Sequence, residues 1–213
     1  MKKVICVILS VILGLSFTAF CATIPNTQVV AGSADSNPPV NLTYTNGMCI
    51  QGAQVRTTGT MGLRFIGIIN ETMLTELEAE GAKNIEYGFL VASGNNTNLT
   101  FENGTIVKAN NVFATSEQTG GDYSKFTACV VNLPTSKYKS NITVRTYLRY
   151  KDSENNRVTL YSTSYTANLY SVAKAAYNGN VESTTVKNYL LNNILYVANP
   201  DFPDEYTGGI YKP

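Results

Sequence analysis

Tyrosine and arginine side chains alternate along two neighbouring segments, in a spacing that would place them on one face of a β-hairpin. Residues 141–150 and 157–165 read as strands joined by the short loop 152–156, which predicts a β-hairpin. If Lys151 pairs with Arg157, Tyr147 faces Tyr161 and Arg145 faces Thr163. One face then carries Tyr147, Tyr161, Tyr165, Arg145 and Arg149. Rings can stack on sugars and guanidinium groups can bond their hydroxyls; alternatively, C-terminal helices cover the face and bury each tyrosine.

Carboxylates are the acid–base groups that remain for catalysis, because the chain has no histidine. Glycoside hydrolysis needs two carboxyl groups about 5 to 9.5 Å apart across the sugar. Glu86 lies in a strand-like run, where an ion pair with Arg56 or Arg64 is the expected role. We therefore expect Arg56, Arg64 and Glu86 to form a structural ion network, and we assign no catalytic residue.

Composition also excludes several classes of function. Without histidine there is no imidazole base and no histidine-ligated metal. A net charge of +1 offers no basic surface for nucleic acid. Neither a calcium-loop series nor a phosphate-binding glycine loop is present, so we expect no metal and no cofactor.

Two cysteines, Cys49 and Cys129, lie in strand-like apolar runs of the mature chain. In an exported protein they could form a disulfide across the chain between them. The alternative is two separate buried thiols that pack as small hydrophobic groups.

Short apolar runs separated by Asn and Gly turns make up most of the chain from Met48 onward, and they predict strands. One helix interrupts them: Asn70 can cap 71–80, with Gly81 as the stop. Helical spacing returns at 169–177 and 181–197. The sequence predicts a mainly β fold, an antiparallel β-sandwich with one inserted helix and two C-terminal helices.

The N-terminus is typical of a secretory signal peptide, with Lys2 and Lys3 before an apolar run. We expect a signal peptide over 1–22, with cleavage there or as late as residue 34. A retained anchor and lipidation at Cys21 are the alternatives. Three further segments follow the predicted signal peptide: an Asn/Thr/Pro-rich linker over 23–47, a β-sandwich domain with C-terminal helices over 48–198 and a flexible tail over 199–213. Loss of the two lysines changes the net charge from +1 to −1.

Several segments resemble a known module: 52–65, 85–89, 144–150, 161–165 and 170–176. Together they resemble a β-rich module of exported and cell-surface proteins of gut and rumen Firmicutes. In that family the module is often an accessory to carbohydrate-active enzymes, which implies a binding role. No established catalytic residues come with the resemblance, and we expect a free-standing module without an attached catalytic domain, which departs from the family's accessory role.

The sequence thus favours a secreted, non-catalytic module that binds a glycan at the bacterial cell surface. The alternatives are a structural or adhesive protein that binds another protein through a sheet edge or the Tyr-rich tail, and a carboxylate-dependent glycoside hydrolase. Location is expected to be extracellular, in association with the cell surface or free of it. We expect neither nucleic acid as a partner nor integration in a membrane after signal cleavage.

Overall fold

The computed structural model describes residues 18–19, 44–109, 112–114, 121–179 and 182–202; for 18–19 and residue 113 the backbone alone is described. Most of the predicted signal peptide, Cys21, the linker up to residue 43 and the tail beyond residue 202 lie outside these ranges.

The fold is mainly β, with two antiparallel sheets and a few helices. The first sheet has five strands: β1 (Thr18–Ala19), β7 (Tyr123–Val131), β3 (Gly62–Asn70) and β2 (Met48–Arg56) in that order, with β6 (Val112–Ala114) also paired to β7. The second sheet has four: β5 (Thr105–Lys108), β4 (Lys83–Ser93), β8 (Ile142–Lys151) and β9 (Arg157–Ala167).

One hydrophobic core receives side chains from both sheets. Phe65 of β3 and Phe126 of β7 are fully buried, as is Phe89 of β4. The ring centroids of Phe89 and Phe126 lie 5.0 Å apart, and Phe65 meets Tyr165 of β9 edge-on at 6.4 Å. Contacts between rings of different sheets bury large apolar areas, and this burial holds the sheets together.

The inserted helix is confirmed at its predicted place, with α1 spanning Glu71–Ala79. The Asn70 side chain accepts a hydrogen bond from the Met73 backbone N–H, which satisfies one of the free donors of the first turn. Gly81 follows the helix with a φ of 88°, a left-handed conformation that glycine adopts without a steric penalty.

The C-terminal helical region also lies where the sequence predicts it. It consists of α2 (Leu169–Asn178), α3 (Thr184–Leu190), a π-helical turn (Leu191–Leu195) and α4 (Tyr196–Ala198). Leu169, Ala173 and Leu190 are buried in the shared core, so the helices cover an end of that core.

The folded domain extends beyond both predicted boundaries. Phe202, expected in a flexible tail, is 1% exposed and meets Tyr170 and Tyr177 edge-on at 6.3 and 5.6 Å. At the other end, Asn46 lies in the predicted linker, yet its side-chain amide donates to the Tyr161 carbonyl at 2.9 Å. Residues 44–47 and 199–202 therefore belong to the domain.

The predicted β8–β9 register is confirmed from Lys151–Arg157 to Tyr147–Tyr161. Beyond Tyr147 the prediction is wrong, because Arg145 faces Ser164 and not Thr163. Ser162 and Thr163 together oppose one residue of β8, which is a β-bulge. The Ser162 hydroxyl stabilises it by accepting from the Thr146 N–H and donating to the Thr163 carbonyl, at 3.1 and 2.9 Å.

Candidate functional site

The outer face of the second sheet is covered by the β4–β5 loop, residues 94–104, which we call the strap. Leu99 and Phe101 of the strap pack on Tyr147, with the Phe101 and Tyr147 centroids 4.8 Å apart. Tyr147 is 0% exposed as a result. It therefore cannot contact a ligand as predicted, and the strap buries it, not the C-terminal helices.

Both arginines of the predicted face hold the strap in place. Arg145 donates to the Leu99 carbonyl at 3.0 Å and to the Ser162 carbonyl at 2.7 Å, and its guanidinium lies 4.6 Å from the Tyr161 ring centre. The Arg149 guanidinium lies 4.5 Å from the centre of Phe101. These contacts occupy much of the polar and aromatic surface that was predicted to bind a ligand.

Glu86 forms its ion pairs within the second sheet. Its carboxylate accepts hydrogen bonds from Lys108, at 2.7 Å, and from Arg149. Neither predicted partner, Arg56 or Arg64, forms an ion pair with Glu86 in the described part of the chain, so the predicted three-residue network is wrong. Burial raises the pKa of Glu86, but the bonds from Lys108 and Arg149 outweigh it and lower the pKa below its usual value. A carboxylate held ionised in this way is poorly suited to act as a general acid.

Cys49 and Cys129 are free thiols, so the disulfide alternative is wrong for this structure. Cys49 pairs with Ile68 and Cys129 with Arg64, on opposite sides of β3. Two strand spacings of about 4.8 Å already exceed the roughly 7 Å Cα separation that a disulfide tolerates. Burial raises the pKa of the Cys49 thiol to about 11, a shift that a hydrogen bond with Tyr44 partly opposes, so this thiol is a poor nucleophile.

The β-bulge moves Tyr165 away from the other predicted residues. It pairs with Val144, which is fully buried in the shared core, and Tyr165 packs against that core too. An extra residue in a strand reverses the alternation of side chains after it, so Tyr161 and Tyr165 lie on different faces. The residues of the predicted binding face are thus not all brought together.

Tyr165 instead lines a cleft of about 400 Å³ between β2, β9, α2 and α3, which we call the edge cleft. Apolar side chains line much of it, including Ala53, Val55, Ala167, Val172 and Leu190. Polar side chains are also present: Gln54, Thr57, Tyr165, Thr166, Ser171 and Glu182.

The polar lining falls into two groups. Thr166 and Ser171 hydrogen-bond within the protein, the first to Thr143 at 2.7 Å and the second to the Asn168 carbonyl at 3.0 Å. The second group consists of Gln54, Thr57, Tyr165 and Glu182. Within the described ranges, the polar side-chain atoms of these four residues make no hydrogen bond and no ion pair. All four are half-buried and line the cleft, and their polar side-chain atoms are not engaged by other described residues.

Local structure fixes where these groups lie. Gln54 belongs to β2, and Thr57 follows that strand directly. Glu182 precedes Ser183, the residue that caps α3 by accepting from the Val186 N–H at 3.3 Å. Gln54, Thr57 and Glu182 were missed in the sequence because they come from distant segments and no local pattern joins them.

The chain matches no protein-family model, no curated protein and no solved structure. Within the described ranges, no three side chains of Cys, Asp or Glu converge as metal ligands would. No helix in the same part of the chain is both long enough and apolar enough to cross a membrane.

Proposed function

We propose that the two sheets pack as a β-sandwich and that the protein is a secreted, non-catalytic module that binds a glycan in the edge cleft. The observation that carries this proposal is that four polar residues without a side-chain partner among the described residues line a cleft that is otherwise largely apolar. The predicted signal peptide and the resemblance to modules of exported Firmicutes proteins support an extracellular, surface-associated role.

The chemistry of the edge cleft suits a sugar. Its volume of about 400 Å³ lies within the range of ligand sites, roughly 300 to 1,000 Å³. A sugar ring has apolar C–H faces, which fit the lining of Ala53, Val55 and Val172. Its hydroxyl groups both donate and accept, as do the Gln54 amide and the Tyr165 hydroxyl.

Binding without hydrolysis is the better fit to the carboxylates. Glu182 is the one carboxylate among the described residues that line the edge cleft, whereas glycoside hydrolysis uses two. Glu86 belongs to the ion pairs beside the strap, where Lys108 and Arg149 keep it ionised.

Replacing Gln54 with Ala and Tyr165 with Phe in one protein tests the proposal. Two neutral hydrogen bonds at about 1 kcal/mol each correspond to a loss of affinity of roughly thirtyfold. Isothermal titration against a panel of soluble oligosaccharides gives the affinity. The matched control is Tyr161→Phe, which removes a hydroxyl beside the strap and should leave the affinity unchanged.

The outcomes separate the two surfaces. A loss in the control, together with full affinity in the double variant, would move the site from the edge cleft to the strap. If the folded wild-type protein binds no oligosaccharide of the panel, the glycan proposal is refuted.

An adhesive role is the second candidate, and one observation favours it. β5 lies at the edge of the second sheet and Ile106 on it is 43% exposed, so its backbone can pair with a strand of another protein. Ile106→Lys should abolish an association of this kind, which analytical ultracentrifugation measures for self-association, and should leave glycan affinity unchanged. Unaltered association in this variant would exclude β5 as the contact.

A further inference from the structure

We infer that the preferred ligand of the edge cleft is a glycan with positively charged amino groups, and that Glu182 recognises its charge. The inference rests on the proposed function and specifies the class of sugar. Nothing in the hydroxyl-binding groups of the cleft distinguishes one neutral sugar from another, so the charged side chain is the feature that can select.

Glu182 is half-buried in the lining and has no salt bridge or hydrogen bond in the part of the chain that the structure describes. Glu86 shows the contrasting case in the same protein, because its carboxylate is neutralised by Lys108 and Arg149. A partly buried carboxylate is usually paired, since the loss of water disfavours its charge. An ammonium group on the ligand would supply the missing partner.

No lysine or arginine is among the described residues that line the edge cleft. The nearby helices carry Lys174, whose ammonium group lies 5.7 Å from the centre of the Phe202 ring, and Lys187, but neither lysine is among the residues that line the cleft. An acidic sugar such as a uronate would therefore meet a carboxylate and no cation. This sign of charge disfavours acidic glycans and favours basic ones.

The neutral groups explain why the cation should be carried by a sugar. Gln54 lies on β2 and Tyr165 on β9, so a ligand that reaches both as well as Glu182 needs several polar atoms distributed over its length. A chain of amino sugars presents hydroxyl groups next to each amine. A simple amine could satisfy Glu182 alone.

The test compares soluble glucosamine oligomers with N-acetylglucosamine oligomers of the same length, by titration near pH 6 where the amines are protonated. We expect the wild-type protein to bind the amine form about tenfold more tightly, as one partly exposed charge-assisted hydrogen bond allows. Glu182→Gln should remove this preference and keep the affinity for the acetylated form. Glu76→Gln, an exposed change on α1, is the matched control and should keep the preference.

Each result bears on a specific claim. If neither oligomer binds to the wild-type protein or to Glu182→Gln, the glycan proposal itself fails. If both oligomers bind equally to the wild-type protein, glycan binding stands and the charge inference is overturned. A tenfold preference that persists in Glu182→Gln would also overturn it, because another group would then recognise the amine.

Discussion

Tyr147→Phe should stabilise the protein, which is an unusual result for a change in a buried aromatic cluster. The Tyr147 ring is fully buried under Leu99 and Phe101, and its buried hydroxyl has no hydrogen-bond partner among the residues that the structure describes. A buried hydroxyl without a partner costs about 1 to 3 kcal/mol of desolvation. Phenylalanine keeps the ring contacts and removes the hydroxyl, so we expect a gain of about 1 kcal/mol near pH 7.

The gain should increase at alkaline pH. Burial raises the pKa of Tyr147 to about 12 from 10.0, the negative charge of Glu86 adds to the shift, and Arg149 opposes it. Between these values the unfolded chain loses the proton and the folded chain keeps it, so stability falls as the pH rises. At pH 11 this linkage costs the wild-type protein about 1.4 kcal/mol, and the variant is free of it.

Urea denaturation at pH 7 and pH 11 measures both effects as differences between wild type and variant, so that the titration of other groups cancels. Tyr161→Phe is the control. The Tyr161 side chain is only half-buried, so removal of its hydroxyl group should change the free energy of unfolding by less than about 0.5 kcal/mol. A destabilisation of 1 kcal/mol or more by Tyr147→Phe would refute the reasoning and indicate a partner for the hydroxyl. The reasoning would also be refuted if the difference in free energy of unfolding between Tyr147→Phe and the wild type were the same at pH 7 and pH 11.

Two further changes test the strap's ion pairs and the end of the domain. Glu86→Gln should lower the free energy of unfolding by about 1 kcal/mol at pH 7, because it removes the ion pairs with Lys108 and Arg149. The loss is no larger because Lys108 is exposed and its ion pair is therefore weak. Since the pKa of Glu86 is lowered on folding, this contribution is present above its unfolded pKa and disappears as the pH falls through its folded value, so the denaturation curves of the two proteins should converge at acidic pH. Glu76→Gln, an exposed change on α1, is the control and should alter the stability at pH 7 by less than about 0.5 kcal/mol. Phe202→Ala should lower the free energy of unfolding, measured by urea denaturation, by about 3 to 5 kcal/mol. The control is Val197→Ala, at a side chain that is 45% exposed, and it should lower this free energy by less than about 0.5 kcal/mol. Equal effects of the two changes would indicate that residue 202 belongs to a flexible tail.

The parts of the fold that depend on neighbouring residues could be predicted from the sequence. The Asn70 cap and α1 are specified by consecutive residues, and the structure has them as predicted. The hairpin register is confirmed near its loop for the same reason, because a short connection leaves the two strands little freedom to slide.

The site could not be predicted because it depends on contacts between distant segments. The strap reaches Tyr147 from more than forty residues away, and no periodicity at Leu99 or Phe101 indicates that they cover a sheet. The bulge at Ser162 is stabilised by a side-chain hydroxyl in place of a ladder bond, and serine at that position carries no sequence signal for a bulge. Phe202 lies in a polar C-terminal segment, where one aromatic residue does not distinguish a tail from an anchored end.

The bulge has a consequence for how this protein can change over time. Because it inserts one residue between Tyr161 and Tyr165, a single strand contributes to two independent surfaces, the rigid strap contact before it and the edge cleft after it. Substitutions after the bulge can alter the lining of the edge cleft with little effect on the packing that precedes it. Deletion of Thr163 would remove the bulge but leave Tyr165 three positions after Tyr161 and still opposite Val144, so Tyr165 would keep its place in the wall of the cleft.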